Sequence, residues 1–578
     1  MQFAVRLSLA LAIMLSNAVP TLAAGAADGS AAALAGTWQL RESAGEAPVA
    51  PITVVATGAP RAVFGGKSIA ARPAGDGLVF PFGGDVGELR TPVLAADHVT
   101  AFWIAPPDFN GTPFASPVVL NRLAPGIWRG AVQPLHVPLL MTLYVQPGPA
   151  GTVHAFFREP NYNLGWTTYR ITRVSLHGTT ARFTLGRGDP LVARLDSARG
   201  LLTLRLPGSP FVDTVTFKRR AVTQPPIDRD TWTPLPTGDG WDIAPATSEG
   251  FSEEALMDVT RFVASKTPHA VTDPAVQSLS IARNGKLVYD AYFDGFAEST
   301  PHDTRSAGKT YADLLAGIAM AAGTPLSADT PIVSLFPYGS SLANPDPRKA
   351  RITLGDALSM STGLDCDDND DASVANEDTM QNQIREPDWY RYTLDTRMVH
   401  DPGTRAVYCS ASINLAGGAI AQATNTWLPL FFAQHVAEPL DMQGYALNLT
   451  PTGQWYLGGG AYVRPRDFLK LGQLFLDGGS WNGQRILDQS WIAQSWTPRA
   501  PLAADDGYGY AWHIRAYTVG GSTYTAYEAQ GNGGQILDVI PRLALTAMIT
   551  AGNYQNYRTW GPERDAIVTR IIAALPRQ

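Results

Sequence analysis

Short runs that alternate apolar and polar residues, or gather β-branched ones, recur at 36–40, 99–104, 139–145, 167–174, 181–185, 201–206 and 212–217. Clusters of Gly, Pro, Asn and Asp separate them, which is the pattern of strands and turns in a sandwich or barrel. No helical periodicity longer than two turns interrupts this stretch. A Pro-rich segment follows, from Gln224-Pro225-Pro226 through Pro234, Pro236 and Pro245, and reads as a linker.

Beyond it the period changes. Ser252-Glu253-Glu254 opens a predicted helix to about residue 266, with Ser at the cap and acids in the first turn. Strands at 277–282 and 287–293 meet at Arg283-Asn284-Gly285-Lys286, where Asn-Gly signals a tight hairpin. The middle is helical, with apolar stretches at 311–320, 415–423 and 466–476. Strands return at 510–519, 523–529, 535–540 and 543–550, turned by Gly520-Gly521 and Pro541-Arg542, and a helix over 565–575 closes the chain. Strands, helices and strands again predict an α+β class: an antiparallel sheet flanked by helices, preceded by a separate β-rich domain. The divisions read from the chain are a leader over 1–24, a β-rich accessory domain over 25–222, the linker over 223–245 and the main domain over 246–578.

At 578 residues the chain exceeds one ordinary domain, and 45% hydrophobic with 16% charged residues describes a large folded core. A net charge of −7, with no basic cluster beyond Lys218-Arg219-Arg220, argues against a nucleic-acid partner. Arg6, the apolar stretch 7–15 and the small residues around Thr21-Leu22-Ala23-Ala24 read as a secretory leader, so a periplasmic or secreted protein is expected. That stretch is too short to span a bilayer, and no later apolar run is long enough, so no stable membrane insertion is expected. In an exported protein the pair Cys366 and Cys409 reads as a disulfide, against the alternative of two buried thiols. Neither cysteine opens a helix beside a candidate base, no zinc spacing is present, and no metal or organic cofactor is indicated. Asp367, Asn369 and Asp371 have EF-hand spacing, but Ala372 and Asp378 stand where that loop needs Gly and Glu. The acidic run 365–371 therefore reads as a solvated loop.

The chemistry concentrates at Ser306-Ala307-Gly308-Lys309. A Ser and a Lys three apart at the entrance of a buried helix share one face, which gives a hydroxyl nucleophile a base within reach. The helix N-terminus favours negative charge developing there. Of seven lysines, only Lys309 has a Ser three residues before it. Ser359-Met360-Ser361-Thr362-Gly363-Leu364, Tyr408-Cys409-Ser410, Gly458-Gly459-Gly460 and Gly531-Asn532-Gly533-Gly534-Gln535 then follow in order.

Taken together these motifs resemble the serine β-lactamase-like family: class C β-lactamases with their esterase, D-aminopeptidase and penicillin-binding relatives. The resemblance covers about 246–578. The family's Ser-x-x-Lys is similar to Ser306–Lys309, its Tyr-x-Asn or Tyr-x-Ser to Tyr408–Ser410, and its strand-borne third motif falls near Asn532-Gly533-Gly534. The resemblance implies that Ser306 forms an acyl-enzyme, that Lys309, desolvated beside Tyr408, has a lowered pKa and takes the Ser proton, and that Tyr408 relays protons. It also implies an oxyanion hole from the Ser306 N–H and one from Gly534 or Gln535, with Ser410, Asn532 and Gly533 as substrate contacts.

Two departures shape the expected substrate. Asn532 stands where Lys or His would, and Ser410 where β-lactamases carry Asn. Both tilt the expectation to a small-molecule ester or amide (an esterase, amidase or D-amino-acid peptidase) over a β-lactam. The competing readings are a β-lactamase or slow-deacylating penicillin-binding protein, and a non-catalytic binding protein on the same fold. An α/β-hydrolase is excluded, since no Gly-x-Ser-x-Gly occurs. The motifs do not specify the oligomeric state.

Overall fold

The computed structural model describes residues 31–41, 49–75, 77–106, 112–135, 140–149, 152–206, 214–220, 229–264, 269–503 and 506–576. The leader read at 1–24 lies outside the described residues. Among the described residues, no helix is long and apolar enough to cross a membrane.

Among the described residues, three large sheets and a two-stranded one are formed. The one that positions the site has eight strands in the order Asp242–Ile243, Lys286–Tyr292, Val276–Arg283, Leu545–Ala551, Gln535–Ile540, Ser522–Gly531, His513–Val519 and Gly507–Tyr508. It is antiparallel except for its first pair, which runs parallel. The expected Asn-Gly hairpin is present, with Asn284 and Gly285 at φ 51° and 79° and Arg283 paired to Lys286. Helices Glu253–Ala264 and Tyr557–Ala573 cover one face around Leu256, Val259, Ile567 and Ile571. Pro465–Leu476 and the helical middle cover the other, with Thr310–Ala321 and Ser410–Thr424 at the centre of the largest core. A sheet buried on both faces explains why its strands read as continuous apolar runs. The last helix starts at Tyr557, eight residues ahead of the predicted 565, because Pro562 sits inside it and masks the helical pattern.

The β-rich region, read above as one unit, has two sheets with separate cores. One takes Gly36–Arg41, Leu140–Pro147, Val153–Arg158 and the five strands from Ile171–His177 to Thr214–Arg220. Alternate residues of all eight strands, among them Trp38, Leu143, Phe157, Phe183, Leu204 and Phe217, bury into one common cluster. The sheet therefore curls around its own core. The other sheet, built mainly from 50–132, enters between the first two of those strands and has its own core around Phe80, Leu89, Trp103 and Trp128. It also accepts a strand from the helical part: Tyr445–Asn448 pairs with Phe114–Ala124, Leu447 against Ala115.

The segment read as a linker is packed along its described part. Trp232 stacks on Tyr289 with ring centroids 5.3 Å apart, and Asp290 N–H donates to Trp232 O at 2.9 Å. Asp239 is buried, with Oδ2 at 3.0 Å from Arg466 Nε and Oδ1 at 3.3 Å from Nη2. Trp241 donates to Arg466 O at 3.1 Å. The prolines keep the chain extended, and the aromatic and acidic residues between them dock it on the sheet and on the helix Pro465–Leu476.

Candidate active site

Ser306 lies in a 3-10 turn, Arg305–Lys309, that runs straight into Thr310–Ala321. Residues three apart nearly eclipse in such a turn, which brings the lysine over the serine. Lys309 Nζ donates to Ser306 Oγ at 2.8 Å and to Gly458 O at 2.5 Å, and the side chain is 2% exposed. Gly459 lets the acceptor loop lie this close: a Cβ there would stand 2.7 Å from Arg305 O and 3.1 Å from Ser306 N.

Tyr408 borders the same pocket of polar atoms, its ring centroid 5.1 Å from Lys309 Nζ. Its backbone is held on three sides. Val407 N–H donates to Met360 O at 3.0 Å, Cys409 N–H to Met360 Sδ at 3.4 Å, and Asp368 N–H to Tyr408 O at 2.9 Å. Met360, directly before Ser361-Thr362-Gly363-Leu364, thus buttresses Tyr408, and the Cys366–Cys409 disulfide ties the acidic loop beside it.

The protonation of Lys309 differs from the sequence expectation. Burial pulls its pKa down, but negative charge at Tyr408, Glu377 and Asp368 outweighs that and holds it above its ordinary value. Desolvation was the only influence visible in the sequence; the two carboxylates were not.

Several residues named from sequence have partners within the chain. Ser410 is fully buried, and its hydroxyl and backbone N–H both donate to Asp368 Oδ2 at 2.7 Å. Asn532 Oδ1 accepts the Gln555 N–H at 2.9 Å, and the Gln535 amide bonds Ala551 on both sides, at 2.6 and 3.2 Å. Gly534 N–H closes the turn onto Gly531 O at 3.1 Å, and Gly533 O accepts the Asn553 N–H at 3.0 Å. The residue of this motif nearest the nucleophile turn is Gly531, where a Cβ would collide with Thr304 O and stand 3.1 Å from Arg305 Cβ.

Sequence reasoning missed Asp368, Glu377 and Arg305. The run 365–371 was read as a solvated loop, but Asp368 turns inward. Burial and the neighbouring Glu377 push its carboxyl up to about 6, against Lys309 and the Ser410 hydrogen bonds, which pull it down. Glu377 accepts the Tyr456 hydroxyl at 2.6 Å. The turns of the outer loop are capped by Asp367 and Asp370, which accept the Asn369 and Ala372 N–H groups at 2.9 Å. Among the described residues, no group of three or more His, Cys, Asp or Glu is gathered where it could hold a metal ion.

A half-buried serine on a buried lysine, with a tyrosine over the lysine and a sheet-and-helix scaffold beneath, is the arrangement of the β-lactamase-related serine hydrolases. Residues 270–567, just over half of the chain, match the family model described as Beta-lactamase. The chain belongs to that family and is an enzyme of the serine hydrolase type. A 6-aminohexanoate-dimer hydrolase of Paenarthrobacter ureafaciens is 22% identical over 316 residues, which are 49% of this chain and 78% of that protein. Among solved structures, a penicillin-binding protein homologue from Caulobacter crescentus is similar at 15% identity and a TM-score of 0.45, over 56% of this chain and 99% of that one. A D-amino acid amidase from Ochrobactrum anthropi SV3 is similar at 16% identity and a TM-score of 0.43, over 56% of this chain and 98% of that one.

Proposed function

We propose that this protein hydrolyses a small-molecule ester or amide through an acyl-enzyme on Ser306, as an esterase, amidase or D-amino-acid peptidase. The observation that carries the reading is the 2.8 Å contact from Lys309 Nζ to Ser306 Oγ beneath the Tyr408 ring. Ser306 Oγ attacks the carbonyl carbon while its proton passes to Lys309 as the Lys309 ammonium gives one to Tyr408, which starts as the phenolate and ends as the phenol, so that the pair acts as one base. The raised pKa of Lys309 supports this coupling over a free amine acting alone. The proton then goes to the departing alcohol or amine, and water repeats the sequence to release the acid. The oxyanion is held by the Ser306 N–H and one from Gly534 or Gln535. The relative named as a hydrolase supports turnover by water over a stalled acyl-enzyme.

The hydrolase domain in this reading is 246–578, with 25–222 as the accessory region and 223–245 as the strap between them. The leader over 1–24 and the disulfide support export to the periplasm or the outside. The test is intact mass after incubation with a fluorophosphonate, on the wild type and on Ser306→Ala. One adduct, mapped to the Ser306 peptide and lost in the mutant, is expected. An unlabelled wild type would overturn the reading in favour of a binding protein.

A further inference from the structure

Arg305, directly before the nucleophile, is a non-glycine residue in the left-handed region, at φ 50°. Such a conformation persists only where the surroundings over-determine it. Asp303 supplies part of the hold: its carboxylate accepts the Arg305 backbone N–H at 2.9 Å and pairs with Nε at 3.0 Å. The rest comes from elsewhere in the chain. Arg305 Nη2 donates to Asn161 O at 2.8 Å, and the guanidinium carbon lies 5.5 Å from the Tyr162 ring centroid and 4.4 Å from that of Tyr554.

Asn161 and Tyr162 belong to the N-terminal β-rich region, in the 159–163 loop that follows strand Val153–Arg158. That loop is built to be rigid. Buried Glu159 accepts the N–H groups of Asn161 at 2.9 Å and Tyr162 at 2.6 Å. Asn163 Nδ2 donates to Tyr554 O at 3.0 Å, and Pro160 O accepts from Gln277 Nε2 at 3.0 Å. The opposing surface is shaped to admit it: a Cβ on Gly552 would stand 2.5 Å from Gln277 Nε2, which holds Pro160 O, and 2.7 Å from Pro160 O and 3.1 Å from Pro160 Cα.

We propose that the 159–163 loop is a working part of the active site, and that Arg305, clamped by Asn161 and Tyr162, is a positioning residue that fixes the turn carrying Ser306. This rests on the assignment of Ser306 as nucleophile. The β-rich region then has a role beyond packing, since it supplies one wall of the strained turn at the nucleophile. Displacing the loop leaves Ser306, Lys309 and Tyr408 chemically intact and loosens only their geometry.

The test uses the full chain with Tyr162→Ala, Tyr162→Phe and Gly552→Ala, which remove the ring, keep it, or push the loop away. Three quantities are read: kcat and KM for a p-nitrophenyl ester, the rate of fluorophosphonate labelling, and hydrogen exchange of the backbone amides at 304–309. Tyr162→Ala and Gly552→Ala are expected to lower kcat and labelling about tenfold or more with KM within about twofold. They are also expected to speed exchange at 304–309 without moving the global unfolding midpoint, while Tyr162→Phe stays near wild type. Unchanged kcat and exchange in both disruptive variants would overturn the proposal. If the wild type itself takes no label, the hydrolase reading falls, and the exchange rates alone decide whether the loop holds the turn.

Discussion

Asp368 Oδ2 accepts both the backbone N–H and the hydroxyl of Ser410, each at 2.7 Å, while the Asp368 N–H donates to Tyr408 O at 2.9 Å. One residue thus ties the positions on either side of Cys409 and sets the backbone from which Tyr408 projects. Its carboxyl, raised to about 6, also adds negative charge near Lys309. Protonation below that pH removes the charge and takes up one of the lone pairs Ser410 uses. We expect kcat/KM to fall as pH drops through about 6, and Asp368→Asn to be about tenfold less active at pH 8 with that acid limb gone. A pH profile from 4.5 to 8.5 checks this; an unchanged acid limb in the variant would show that another group titrates.

The disulfide joins residues 43 apart in sequence and fastens the acidic loop to the residue after Tyr408. Closing a loop of that length restricts the unfolded chain, and its removal should cost about 2–4 kcal/mol. Urea unfolding of Cys366→Ala/Cys409→Ala should therefore show a lower midpoint, and kcat should drop as Tyr408 loses its tether. A midpoint equal to wild type would mean that the loop is held by Asp368 alone.

Asp239 and Arg466 form a buried pair between the strap and the helix Pro465–Leu476, 2% and 0% exposed. Removing the carboxylate leaves a guanidinium in the interior with Asp290 at 3.7 Å as a charged partner and Leu235 O at 3.1 Å as an acceptor. We expect Asp239→Asn to destabilise the protein by about 3 kcal/mol, the low end for a broken buried pair, because Asp290 compensates in part. Chemical denaturation measures it, and a loss below about 1 kcal/mol, the range of surface pairs, would mean that the strap is held by its aromatic stacking.

Asp313 is fully buried, accepting the Ser495 hydroxyl at 2.8 Å and the Trp512 N–H at 3.0 Å. Burial pushes its carboxyl up to about 8, against an ordinary value of 3.8. A folded-state pKa above the unfolded one means the fold binds the proton more tightly, so its contribution is complete below about pH 4 and is lost as pH rises through about 8. Asp313→Asn, always uncharged, should therefore flatten the fall in melting temperature between pH 5 and pH 8.5. Parallel curves for the two proteins would refute the assignment.

The Ser–Lys spacing, the Asn-Gly hairpin and the order of the C-terminal strands were legible because each rests on local chemistry or local periodicity. What stayed hidden depended on distant partners. Asp368 looked like any acid in a charged loop until the fold placed it against Ser410 and Lys309. Arg305 looked like a neighbour of the nucleophile, since Asn161 and Tyr162 are more than a hundred residues away. In Phe114–Ala124 the strand pattern was broken by Pro117. The structure puts that proline between Ala115, which pairs with Leu447, and Asn121, which pairs with Arg129. A residue without an N–H fits at the point where the strand changes partner.

That change of partner has a consequence for how the chain can be divided. The strand Tyr445–Asn448 lies inside the hydrolase half, yet one of its hydrogen-bonding edges is met by residues 114 and 115 of the other half. Phe102 packs on Trp427 and Tyr445 beside it. Cut free at the strap, 246–578 would leave an open strand edge next to bare aromatic rings, an invitation to self-association rather than a self-sufficient catalyst. The two halves are not interchangeable cassettes, and a graft that transfers the chemistry must carry the edge-sealing segment of the first half with it.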